Sequence, residues 1–189
     1  MSKANQYAKD HGKTPFSIYQ GKWSALDRSF ERDIIPMARA EGLALAPWDV
    51  LGGGRIRSDA EEARRHETGE KGRTTMVPNW ERTEEERKVC LILEGVAKEV
   101  GVESITSGGL ALVGCVSCAE RSDLLVAIAY LLHKTPYVFP IVGGRKVEHL
   151  KQNIQALDIT LSPEQIRRID EAKPFNVGFP YTVIVRSPI

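Results

Sequence analysis

Cysteine is scarce in this sequence: three residues in 189. So small and odd a number excludes a disulfide framework and points to a reducing compartment. Cys115 and Cys118 form a Cys-x-x-Cys pair, yet Cys90 is the only other thiol, and no second pair or paired histidine completes a zinc site. The pair also lacks the strand and helix N-terminus of a thioredoxin-type motif, so its spacing reads as structural or incidental. A charge imbalance is missing as well. The 26 Lys and Arg against 25 Asp and Glu give a net charge of +1, evenly mixed, which excludes an electrostatic grip on nucleic acid. No apolar run approaches the ~18 residues that a membrane span needs, and the first five residues are not a secretory signal. Internal repeats and low-complexity segments are absent too. These absences predict a soluble, cytoplasmic chain with no nucleic-acid or membrane partner.

What the sequence does contain is organised around residues 137–157. Tyr137, Val138, Phe139, Ile141 and Val142 are β-branched, aromatic or aliphatic in a short, uniformly apolar run. That pattern predicts a parallel strand covered on both faces. Gly143 and Gly144 follow, and without a Cβ they let the backbone turn sharply and approach a ligand closely. Val147, Leu150, Ile154 and Leu157 then recur at three- and four-residue spacing, predicting an amphipathic helix with one inward stripe. A helix N-terminus at the mouth of a strand offers free N–H groups and a positive dipole end, enough to hold a phosphate. Arg145 and Lys146 add charge there. The same pattern also suits a plain strand-turn-helix corner with solvated basic residues.

From the start of the chain, a helix is predicted over residues 2–11, closed by Gly12. A strand follows over 14–20, then a helix over 27–40 with Phe30, Ile34, Met37 and Ala38 on its apolar stripe and Pro36 interrupting it. Residues 43–46 make a short buried strand. Such alternation predicts right-handed parallel units. Residues 52–82 are rich in charge and poor in apolar side chains, so they read as a long, mobile, solvated loop with one helical turn at 59–66. Thr83 to Glu86 is a capping-box pattern that opens a helix carrying Val89, Leu93 and Val96. Residues 104–125 show neither helical nor strand period and read as an insertion. An apolar helix is predicted over 124–133, and Ser162-Pro163 opens a last one.

These pieces, in this order, resemble the C-terminal part of the aldo-keto reductase family, nearest its fungal aryl-alcohol dehydrogenase and norsolorinic acid reductase branch. The resemblance rests on Ala4 to Ala8, on Pro15 to Ser24, on Gly42 to Gly54, on Ile128 to Leu132 and on Phe139 to Asn153. It implies an α/β fold that is the incomplete C-terminal part of a (β/α)8 TIM barrel, with about three parallel strands and flanking helices. A complete barrel typically takes ~250 residues. The whole of 1–189 is then one partial oxidoreductase domain, interrupted at 104–125.

The resemblance also implies roles for particular positions. Gln20 would hydrogen-bond the nicotinamide carboxamide of NADP(H), and Trp48 would stack on its ring. Asp49 to Gly52 would form the turn beneath the pyrophosphate. Gly143, Gly144 and Arg145 would hold the 2′-phosphate side, and His149, Gln152 and Asn153 would line the adenine. The family's catalytic aspartate, tyrosine, lysine and histidine have no counterpart here; Tyr7, His11, Lys13 and Tyr19 fall in the wrong elements. The implied activity is NADPH-dependent reduction of small aldehydes or ketones, or oxidation of the alcohols, of aromatic or polyketide type as in fungal secondary metabolism. The alternative is a catalytically inactive fragment that binds a nucleotide or a partner chain.

Overall fold

The computed structural model describes residues 1–69, 81–101, 122–144, 147–179 and 182. Seven helices and two strands follow one another along them: α1 (Ser2–Asp10), β1 (Ile18–Lys22), α2 (Phe30–Glu41), β2 (Ala44–Trp48), α3 (Asp59–Thr68), α4 (Glu84–Glu99), α5 (Ser122–Lys134), α6 (Val147–Ile154) and α7 (Pro163–Ala172). None of these helices is long and apolar enough to cross a membrane.

β1 and β2 pair in parallel, with Ile18 opposite Ala44, Gln20 opposite Ala46 and Lys22 opposite Trp48. Residues 137–142 run along the other edge of β2. Leu45 bridges Val138; its N–H donates to the Tyr137 carbonyl (2.9 Å), and its carbonyl accepts from the Phe139 N–H (2.8 Å). The Ile141 N–H reaches the Pro47 carbonyl (2.8 Å). A full third strand does not form, for a local reason: Pro47 has no N–H to return, which leaves the ladder one hydrogen bond short beyond Leu45. The expected three parallel tracks are therefore two strands and one partly paired segment.

Side chains alternate across these tracks. Tyr19, Leu45 and Val138 face the helices, where Tyr19 packs edge-on against Phe30 and Trp23 stacks on Phe30. The core continues through Leu26, Val89, Leu93, Val96 and Ile169. On the other side the rungs read Ile18–Ala44–Tyr137, Gln20–Ala46–Phe139 and Lys22–Trp48–Ile141. This face is open. Tyr137 is 74% exposed and Phe139 58%, whereas Val138 is 7% exposed. The expectation of a segment covered on both faces is thus corrected: only one face is packed. α6 departs in the same way. Val147, Leu150, Ile154 and Leu157 are each more than half exposed, and Asn153 is the helix's buried residue.

Two further expectations change. Within residues 52–82, the described part is no solvated loop. α3 has ten residues, capped by the Ser58 hydroxyl, which accepts from the Glu61 N–H. The Arg82 side chain is almost fully buried and pairs with Asp59 (2.7 Å) and Glu62, while the equally buried Arg57 pairs with Glu62 (3.0 Å). Charges that look solvated in one dimension neutralise each other in three. The expected insertion lies mostly outside the described residues, but Ser122 to Leu125 are the first turn of α5, and Asp123, Leu124 and Leu125 are buried.

The predicted caps are in place. Thr83 and Glu86 make a full capping box on α4, as do Ser162 and Gln165 on α7. α2, α5 and α7 are held by a charge network. Arg28 bonds Glu31 (2.8 Å) and Asp170 (3.0 Å), Lys134 bonds Asp170 (2.9 Å), and the Tyr130 O–H donates to Asp170 (2.5 Å).

Candidate functional site

Parallel strands place their C-terminal ends on one rim, and ligands of parallel α/β folds bind there. On this rim the top rung is Lys22–Trp48–Ile141, with Gln20 one rung below on the same open face. Gln20 is exposed and Trp48 half-buried, so both present side-chain surface to the open side. The structure therefore brings Gln20 and Trp48 together.

The chain leaves β2 through a strained turn. Asp49 has φ of 59°, a left-handed conformation uncommon outside glycine, and its carbonyl accepts the Gly52 N–H (2.8 Å). Gly52 itself has φ of 60°, and an added Cβ would stand 2.7 Å from Leu26 Cδ1. Lys22 steadies the turn. Its ammonium lies 3.6 Å from Asp49 and 3.1 Å from Asp27. Sequence reading missed Lys22, although its spacing of two from Gln20 on a strand was the available signal.

The Gly143–Gly144 pair lies at the same end, directly after Val142, with neither glycine at a positive φ. Gly144 packs so tightly on α6 that an added Cβ would sit 2.8 Å from His149 Cβ, whereas Gly143 has open space around it. His149 and Gln152 are half-buried and Asn153 buried, on the side of α6 turned from its apolar stripe. Arg145, expected at the 2′-phosphate, lies outside the described residues, as does Lys146.

A cavity of about 410 Å³ adjoins this rim on its β1 side, lined by Lys22, Asp27, Arg28, Asp49, Arg55 and Lys173 among others. Its charges are largely neutralised internally: Arg55 pairs with Glu86 (2.8 Å), Lys22 with Asp27 and Asp49, and Arg28 with Glu31. Neither Gln20 nor Trp48 lines it.

Acid–base groups are scarce on the open face. Its tyrosine, Tyr137, is on the rung farthest from Trp48. Tyr7 is exposed on α1, stacked on His11, and Tyr19 faces the helices. Tyr130, Lys134 and Asp170 have the composition of an acid–base set, but Tyr130 is wholly buried between helices and burial drives its phenol far above the usual range. That trio is structural. Among the described residues no group of three or more His, Cys, Asp or Glu could hold a metal ion.

The sequence matches the aldo/keto reductase family over residues 1–111 and 117–174. It is 56% identical over 182 residues to an aryl-alcohol dehydrogenase (NADP(+)) of Phanerodontia chrysosporium, covering 96% of this chain and 43% of that one. Over 186 residues it is 45% identical to norsolorinic acid reductase A of Aspergillus parasiticus, covering 98% and 40%. Among solved structures it is similar to a thermostable aldo-keto reductase crystallised with the inhibitor epalrestat. That likeness has a TM-score of 0.53 and 23% identity, and covers 88% of this chain and 43% of the other. The chain thus spans under half the length of each of these proteins.

Proposed function

We infer function from one premise: this chain belongs to the aldo/keto reductase family. On that premise it forms the cofactor-holding part of an NADP(H)-dependent oxidoreductase that reduces aldehydes or ketones of aromatic or polyketide type. The observation that carries this reading is the rim itself. Trp48, Gln20, the tight turn at Asp49–Gly52 and the Gly143–Gly144 pair share the C-terminal end of three parallel tracks.

The residues suit the group. Trp48 offers a flat apolar face for a ring to stack on. Gln20 offers one amide donor and one acceptor, the complement of a carboxamide. Gly143 leaves room for close approach, and a side chain on Gly144 or Gly52 would collide with its neighbours. Arg145 adds a planar cation suited to a phosphate. NADP(H), when bound, supplies or accepts the hydride. The proton donor is not on the described open face. That observation favours a second reading beside the first: a nucleotide-binding part without turnover of its own. A cytoplasmic setting accords with three cysteines and no disulfide framework. The insertion is best drawn before Ser122, around the break in the family match at 112–116.

The test is a fluorescence titration of the chain with NADPH and with NADH. Trp48→Leu should weaken both by ~0.5–1.5 kcal/mol, the scale of an aromatic stack. Arg145→Ala should weaken NADPH by about 1.5–3 kcal/mol and NADH much less, because a charge-assisted hydrogen bond to the 2′-phosphate is lost. Equal losses for the two cofactors would move the phosphate contact elsewhere. No binding of either would remove the reading. Turnover of an aromatic aldehyde is expected to be absent, and its detection would overturn the second reading.

A further inference from the structure

The turn that leaves β2 holds two carboxylates and one ammonium. Lys22 ends β1 opposite Trp48, and the Trp23 N–H donates to the Trp48 carbonyl (3.2 Å). The next residue, the left-handed Asp49, has its carboxylate 3.6 Å from the Lys22 ammonium. Asp27 shares that ammonium at 3.1 Å. Asp27 has a second anchor, since its carboxylate also accepts the Ser29 O–H (2.5 Å) and N–H (3.2 Å). Asp49 has no second anchor: among the described residues its one cation is Lys22. The neighbouring arginines are engaged elsewhere, Arg55 with Glu86 and Arg28 with Glu31 and Asp170.

On the cofactor reading, which the proposal here rests on, this turn lies beneath a diphosphate. A carboxylate is a poor neighbour for one. A like charge a few ångströms off costs roughly 5–10-fold in affinity in a partly solvated site. The Asp49 side chain is only 17% exposed, so water alone screens it poorly.

We propose that Lys22 is the positioning residue that makes this turn receptive to a diphosphate, by neutralising the Asp49 carboxylate and tying it to the end of β1. The backbone does not demand the charge at Asp49, because asparagine adopts the left-handed region as readily. What the carboxylate adds is a hold on Lys22, drawing its ammonium to the turn at the top rung. The pair thus brings a cation to the rim and cancels the charge that brought it.

The test is a titration of the full chain with NADPH and with NADH. The local charge of two carboxylates and one ammonium is −1. Lys22→Met makes it −2, adding Asp49→Asn returns it to −1, and Asp49→Asn alone brings it to 0, so affinity should follow that order. Lys22→Met should weaken both cofactors at least 10-fold and by equal factors, because both carry the diphosphate. Lys22→Arg keeps the charge and should bind as the wild type does. The double variant should recover most of the loss, which a merely structural bridge would not do. In ~1 M salt, where the screening length falls to about 3 Å, the gap between wild type and Lys22→Met should close to under about threefold. The Lys22 side chain is 37% exposed, so the far-UV spectrum should survive its replacement. Should Lys22→Met fail to fold, Asp49→Asn alone still decides: it should bind both cofactors at least as tightly as the wild type, and weaker binding overturns the proposal. A wild type that binds both cofactors no better than Lys22→Met overturns it and leaves the cofactor reading standing. So does a loss confined to NADPH, or one that neither salt nor the double variant reduces. A wild type that binds neither cofactor removes the reading and the proposal together.

Discussion

Asp170 joins three side chains across three helical regions, and Asp170→Ala measures what its network does. It accepts the Tyr130 O–H at 2.5 Å, both Lys134 contacts at 2.9 and 3.0 Å, and Arg28 at 3.0 Å. Removing it does not strand the two cations, because Glu31 stays 2.8 Å from Arg28 and 3.4 Å from Lys134. The phenol is different. Tyr130 is wholly buried, and its hydroxyl would lose its acceptor, at about 1–3 kcal/mol for an unsatisfied buried group. Adding part of the weakened charge pairing gives roughly 2–4 kcal/mol, below the 3–5 of a fully broken buried ion pair. For a chain of this length that is a fall in Tm of about 5–15 °C, at roughly 2–4 °C per kcal/mol. Thermal unfolding followed by circular dichroism, with a urea midpoint as a second measure, would read it. Arg167→Ala is the control: its pairs with Glu164 and Glu171 are exposed and screened by solvent, so its unfolding midpoint should match the wild type within error. Adding Tyr130→Phe to Asp170→Ala should recover part of the loss, because the orphaned hydroxyl goes with it. If Asp170→Ala costs no more than Arg167→Ala, the network is decoration and the reasoning fails.

Asn5→Ala should cost about 1–3 kcal/mol, since the buried amide accepts the Phe16 N–H (2.9 Å) and donates to its carbonyl (3.2 Å) just before β1; a urea midpoint within error of wild type would show that lead-in to be independently stable. Hydrogen bonds from Arg87, and then from Arg82, hold the Asp59 carboxyl down at about 2. Its folded pKa is below the ~3.9 of an unfolded aspartate, so its contribution is present above about pH 4 and fades as pH falls towards 2. Asp59→Asn should flatten that part of the stability profile, and parallel wild-type and variant profiles would assign the acid loss elsewhere. Burial pushes the Cys90 thiol up, so iodoacetamide at pH 8 should leave it unlabelled until urea is added. Fast native labelling would mean that the α4 core opens readily.

Local chemistry was legible in the sequence, and long-range pairing was not. The capping boxes at Thr83 and Ser162 depend on residues three apart, so they read directly. Gln20 and Trp48 were found through the resemblance, and the register that sets Trp48 beside Lys22 then follows from the fold. The pairing of Arg57 and Arg82 with Asp59 and Glu62 has no sequence signal, because a charge-rich stretch looks the same paired or free. Asn5 reaches across 11 residues to Phe16, a contact with no local signature. Pro47 could have been used: a proline inside a strand withdraws one donor, and that donor is the one the third track lacks.

The larger misreading has a single cause, and it explains why the site and the open face coincide. Periodicity reports that a segment has two chemically different sides; it does not report which side finds a neighbour. The sequence pattern predicts a segment covered on both faces at 137–142 and one inward stripe on α6, and both leave much apolar surface exposed. On the sheet, the exposed side is also the one that carries Gln20 and Trp48, because residues two apart share a face. The middle track of that side is built from Ala44, Ala46 and Trp48, small, small and flat. Bulky residues at the two alanine positions would fill the floor below Trp48. With alanines, the floor is low and Trp48 stands at its upper end, flanked by Lys22 and Ile141. On the proposed reading, that low floor is what leaves room for a ring beside the tryptophan.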